Sequence, residues 1–113
     1  TWPDRVPNSL RALDFAELGR LDFEAPRCAD FPALDLARTA GAMGGTRPAV
    51  LNAANEVAVA AFLDGVLSWV GITELLTDVL EAWPGDEATD VDAVLDVDRR
   101  AREAATTLVL SRS

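Results

Sequence analysis

The sequence predicts a mainly α fold: a bundle of about four helices preceded by an extended arm with one short strand. Three observations carry that expectation. Residues 48–64, PAVLNAANEVAVAAFLD, form the most apolar long run in the chain, with no internal Gly or Pro. Two later stretches, 72–82 and 91–108, repeat apolar residues at spacings of three and four, the period of a helix face. The first 29 residues are instead punctuated by Pro3, Pro7, Gly19 and Pro26 and show no helical seam.

Taken in order, residues 1–13 read as an extended arm. Asp14 can cap a short turn, Phe-Ala-Glu-Leu, that Gly19 ends. Residues 20–24, RLDFE, alternate Leu21 and Phe23 with charged neighbours, a strand pattern stopped by Pro26. A lone strand needs a partner edge, so its sheet is expected in another segment or outside this chain. Asp30 and Pro32 mark the start of a helix running to about Met43, with Phe31, Leu34, Ala37 and Ala40 or Gly41 facing inward. Gly44 and Gly45 end it.

The helix over 48–64 starts at Pro48 and stops at Gly65, and would span about 25 Å. It is apolar nearly all round, the mark of a central helix, except for one stripe of Asn52, Asn55 and Glu56. Residues 66–71 read as an apolar connection. In 72–82, Ile72, Leu75, Leu76, Val79 and Leu80 face inward, and Trp83, Pro84 and Gly85 close the helix. Thr89 or Asp90 opens the last helix, with Val91, Val94, Val97, Ala101, Ala104 and Leu108 as its seam. Its acidic residues come early and its arginines late, as the helix dipole favours. The expected organisation is an arm or linker over 1–29, carrying the helical turn and the strand, and a helical bundle domain over 30–113.

Composition narrows the function. The 113 residues suit one domain, and half of them are hydrophobic, enough for a real core. Net charge is −9, from 19 acidic and 10 basic residues, which argues against nucleic acid or an anionic membrane as partner. The apolar run is too short and too polar for a membrane span. One cysteine, Cys28, allows no internal disulfide and agrees with a reducing, cytoplasmic setting. With no histidine, a Cys/His zinc site and a histidine general base are excluded within this chain. The opening TWPDRVP has neither the basic start nor the apolar core of a secretory leader, and its lack of Met reads as a processed chain or a fragment.

The candidate site residues are Asn52, Asn55 and Glu56. On one helix stripe they could form a ligand or acid/base site, but no His, Lys or nucleophile lies near them in sequence. A structural polar cluster is preferred, with Arg38, Arg47 or Arg102 as partner for Glu56 and with Asn55→Leu destabilising by about 1–3 kcal/mol. The glycine segment 41–48, ending in Arg47, could hold an anion at a helix N-terminus, but lacks the lysine and the preceding strand of a phosphate loop. The acidic residues from Asp90 to Asp98 lack the central Gly and terminal Glu of a calcium loop and read as a solvated face. Asp22 and Glu24 read as the wet side of the strand. Trp2, Trp69 and Trp83 read as packing anchors, and Cys28 as a small residue without a base to activate it.

The string PAVLNAANEVAVAAFLDG at 48–65 resembles the helical signature of the 1-deoxy-D-xylulose 5-phosphate reductoisomerase family. WPDR at 2–5, LDF at 13–15, LGRLDFEAP at 18–26, FPALDLA at 31–37 and VDAVLDVDRRAR at 91–102 are similar to the family in the same order. The resemblance implies a homodimeric enzyme of isoprenoid precursor synthesis that uses NADPH and Mg2+ or Mn2+. It reaches only the family's C-terminal part, so it implies the upstream domains of the same enzyme as partners. It carries over no catalytic, cofactor-binding or metal-ligating residue to this chain. The alternative, from another class, is a free-standing helical protein-interaction module whose open strand and apolar bundle dock a partner.

Overall fold

In the computed structural model, the described residues are 9–112 apart from 86 and 88. They hold five helices and no strand: α1 (Phe15–Leu18), α2 (Ala33–Met43), α3 (Arg47–Leu63), α4 (Trp69–Glu81) and α5 (Val91–Arg112). Several helix ends have a local cause. Asp14 accepts hydrogen bonds from the Ala16 and Glu17 amides to start α1, at 2.8 and 3.2 Å. Gly19, at φ 72°, ends it. Asp90 starts α5 by accepting from the Ala93 amide at 2.8 Å. Past α3, Gly65 adopts φ 75°; its amide donates to the Phe62 carbonyl and the Val66 amide reaches back to Ala61, closing the last turn.

Helix α3 is the centre of the bundle. It packs most extensively on α5, then α4, then α2, while α4 also meets α5. Its inner face is Val50, Ala53, Ala54, Ala58 and Ala61. Ala101 and Ala105 of α5 are likewise fully buried, so small side chains on both helices bring the two backbones close. Leu75, Leu76 and Val79 of α4, with Leu67, Trp83 and Val97, complete the core.

Four expectations are corrected. Residues 20–24 form no strand: no ladder partner exists among the described residues, and alternation alone does not satisfy backbone groups. Helix α4 begins at Trp69 and not at Ile72, because Ser68 accepts from the Gly71 amide at 3.0 Å and caps it. Gly71 fits closely there: a Cβ would sit 3.0 Å from Leu67 Cδ1 and 3.1 Å from Ser68 Oγ, so Leu67 would have to shift by a few tenths of an ångström. In α2 only Ala40 is buried; Phe31, Leu34 and Ala37 are exposed, because α3 covers just one side of this helix. In α5 the seam runs through Val97, Ala101 and Ala105, leaving Val91 and Ala104 exposed.

The central helix is also less enclosed than its composition implied. Asn52, Glu56, Val59, Ala60 and Leu63 are exposed, so α3 has a true outer face. Trp83 is buried, but Trp69 is 65% exposed and packs edge-on against Phe62 at 5.9 Å. Trp2 and the WPDR string lie outside the described residues.

Residues 9–27 are exposed throughout, and α1 takes no part in the main helix contacts. The radius of gyration, 18.3 Å, exceeds the roughly 13 Å of a compact chain of this length, because this segment does not fold back on the bundle.

Candidate functional site

The polar stripe of α3 meets α5. Asn52 and Glu56, one turn apart, are joined by a 3.1 Å hydrogen bond from Asn52 Nδ2 to Glu56 Oε1. The other carboxylate oxygen accepts from Arg102 Nη2 at 2.9 Å. Arg102 also grips Asp98, one turn before it on α5, through Nε at 2.7 Å and Nη2 at 3.1 Å. Of the three arginines considered for Glu56, the fold delivers Arg102.

Arg102 serves two carboxylates at once, and its hydrogen bonds to Asp98 and then Glu56 hold its guanidinium more firmly protonated. The same bond holds the Asp98 carboxyl below the usual aspartate range. Both side chains of the Glu56–Arg102 pair are more than one-third exposed, so this is a wet clamp between helices and not a buried charge network. Asn55 does not join it. It is half-buried and has no hydrogen-bond partner among the described residues. With Asn52 it lines a groove of about 390 Å³ between α2 and α3.

A second cluster links sequence-distant residues. Trp83, just past α4, donates from Nε1 to Thr46 Oγ1 at 3.3 Å. Thr46 is the buried polar residue of the core and sits at the start of α3. The Arg100 guanidinium stacks 4.9 Å from the Trp83 ring, adding a cation–π contact. Arg112 of α5 donates to the Gly71 carbonyl at 3.4 Å and pairs with Asp78, tying the ends of α4 and α5 together. Neither the Trp83–Thr46 bond nor the Arg112 contacts have a signal in the sequence, since they span 34 to 41 residues.

The remaining candidates fall into ordinary roles. Gly44 and Gly45 have positive φ and form the turn between α2 and α3, and Arg47 begins α3. Asp90 is a cap, and Asp96 pairs with Arg99 and Arg100 along the outer face of α5. Asp22 pairs with Arg20. The Cys28 thiol is pushed up, first by the nearby Asp35 carboxylate and then by burial, opposite to what a nucleophile requires. Among the described residues no group of three or more Cys, Asp or Glu is placed to hold a metal ion, and no helix is long and apolar enough to cross a membrane.

Fold and site together define a small all-helical domain whose polar contacts, Glu56–Arg102 and Trp83–Thr46 among them, join one helix to the next. A family model described as the DXP reductoisomerase C-terminal domain matches residues 1–104. The chain belongs to the 1-deoxy-D-xylulose 5-phosphate reductoisomerase family, as its C-terminal domain. It is 48% identical over 104 residues to the reductoisomerase of Stutzerimonas stutzeri, covering 92% of this chain and 26% of that protein. Against the Xanthomonas oryzae enzyme it is 49% identical over 102 residues, covering 90% of this chain and again 26% of the relative. The chain thus spans about a quarter of the length of these relatives. In structure it is similar to the Zymomonas mobilis reductoisomerase solved with NADPH, with TM-score 0.83 and 41% identity over 96% of this chain and 29% of that one. A reductoisomerase solved with magnesium gives TM-score 0.81 and 31% identity, over 99% of this chain and 30% of that one.

Proposed function

We propose that this chain is the structural C-terminal domain of an NADPH-dependent reductoisomerase and is inactive alone. The whole enzyme would convert 1-deoxy-D-xylulose 5-phosphate to 2-C-methyl-D-erythritol 4-phosphate, in the non-mevalonate route to isoprenoid precursors. The observation that carries this reading is that residues 1–104 match one domain, and that the matched stretch is 26% of the length of a relative. The described residues do not fit the cofactors. Nothing among them is grouped to hold Mg2+ or Mn2+, and the glycine turn before α3 follows a helix, not the strand that a dinucleotide loop requires. On this reading NADPH and the metal ion are held by other domains of the whole enzyme. The role of the helical bundle is to buttress those domains, and the described residues 9–29 belong to the arm that reaches them; the exposed Leu21 and Phe23 support this, since a partner would cover them. The whole enzyme is read as a cytoplasmic homodimer.

The test is substrate-dependent NADPH oxidation with Mn2+ or Mg2+. The purified chain should show none, and the polypeptide carrying the upstream domains should turn over. Turnover by this chain alone would overturn the reading.

A further inference from the structure

The least finished side of the bundle is α2. It leans on α3 alone in the main packing, buries only Ala40, and leaves Phe31 and Leu34 nearly half exposed beside it. The groove between α2 and α3 has Ala33, Ala37, Pro48 and Leu51 among its walls and two carboxamides, Asn52 and Asn55, as its polar lining. No charged side chain lines it, which disfavours an ionic occupant. The alanines keep its α2 wall low enough for a main chain to approach. Asn52 is committed to Glu56, whereas the half-buried Asn55 amide has no partner among the described residues. A carboxamide offers an acceptor oxygen and an NH2 donor, the complement of a peptide unit's N–H and C=O. The chain spans only 26% of the length of its relatives, so most of such a polypeptide lies outside it and is available to fill the groove.

We propose that the α2/α3 groove seats a segment of the polypeptide upstream of Thr1, lying across Ala33 and Ala37 with a main-chain amide paired to Asn55. This rests on the family reading above and adds to it the face on which the bundle and the upstream domains meet. Asn55 here is a positioning residue with no part in the chemistry.

The test uses the polypeptide encoded by the complete reading frame. A photo-crosslinking residue, p-benzoylphenylalanine, replaces the exposed Ala37. Irradiation and peptide mass spectrometry should place its crosslinks on residues upstream of Thr1 in the same chain. In a second arm, Asn55→Leu should speed amide exchange across α2, residues 33–43, by about tenfold, the weight of one hydrogen bond. Pro48→Ala, on the groove wall but with no polar side chain, should leave that exchange within about twofold of the parent. Crosslinks to the bundle of a second copy, to another protein, or to nothing would overturn the proposal, as would unchanged exchange in Asn55→Leu. A polypeptide that turns over substrate yet fails these arms would sink this inference and leave the family reading standing. A frame without an upstream catalytic domain would sink both.

Discussion

Leu75→Ala is the sharpest test of how this bundle is held. Leu75 is fully buried in the cluster that α3, α4 and α5 share. Truncation removes three carbons, about 2.4 kcal/mol at about 0.8 kcal/mol per buried methylene. The space left behind adds to this, because the facing residues of α3 are largely alanines with no side chain long enough to refill it. The expected loss is about 3–4 kcal/mol, inside the usual span for a buried leucine. A chain of this size holds roughly 5–15 kcal/mol in all, so the variant should remain folded but melt about 12–30 °C lower. The control is Leu63→Ala: another leucine, at the end of the most apolar helix, but 75% exposed. It should change stability by no more than about 0.5 kcal/mol. Urea unfolding followed by far-UV circular dichroism measures both. A loss below about 1 kcal/mol for Leu75→Ala, or equal losses for the two leucines, would refute the placement of the core.

Other consequences follow from the polar contacts and from the exposed arm. Thr46→Val keeps the shape but leaves the buried Trp83 indole N–H without this acceptor, and should cost about 1–2 kcal/mol with a shift in tryptophan emission; a neutral result would mean that the bond contributes nothing. Asp96 and Asp98 titrate below the usual aspartate range, held there first by hydrogen bonds from Arg99 and Arg102 respectively. A depressed folded value means their stabilisation is complete above the unfolded value and is lost as pH falls through the folded one. The urea midpoint should therefore drop on strong acidification, and the double variant Asp96→Asn, Asp98→Asn should flatten that drop; an unaltered profile would contradict it. The Glu56–Arg102 clamp is exposed, so a double-mutant cycle should give a coupling that fades with added salt; coupling insensitive to salt would count against a solvated pair. In the isolated chain, amide exchange should be fast over residues 9–27 and slow over 50–61, and equal protection in both would show that the arm is packed.

Local order was legible in the residues themselves. Asp14 with Gly19 bounded α1, Gly44 and Gly45 ended α2, Pro48 and Gly65 framed α3, and Asp90 opened α5, because caps and stops act over one turn of chain. The central position of α3 also followed, since a helix rich in alanine and valine needs neighbours on several sides. The start of α4 was missed because Trp69 and Val70 look like core residues, while Ser68 was read as part of an apolar connection; both are in fact exposed and the cap decides. The strand expected over 20–24 finds no partner edge among the described residues, and without one the alternation there builds no ladder.

The sequence by itself determined most helix ends, though not the start of α4, which helix could be central, and, through the motif around Asn52 and Glu56, the family. Tertiary structure alone decided that Glu56 meets Arg102 and not Arg38 or Arg47, that Trp83 finds Thr46, that Asn55 faces an open groove, and that α2 is covered on one side only. The reason is range. Capping and helical period are fixed within a few residues, whereas the partner of a side chain depends on which helices cross and at what rotation, and chain segments dozens of residues apart set that together.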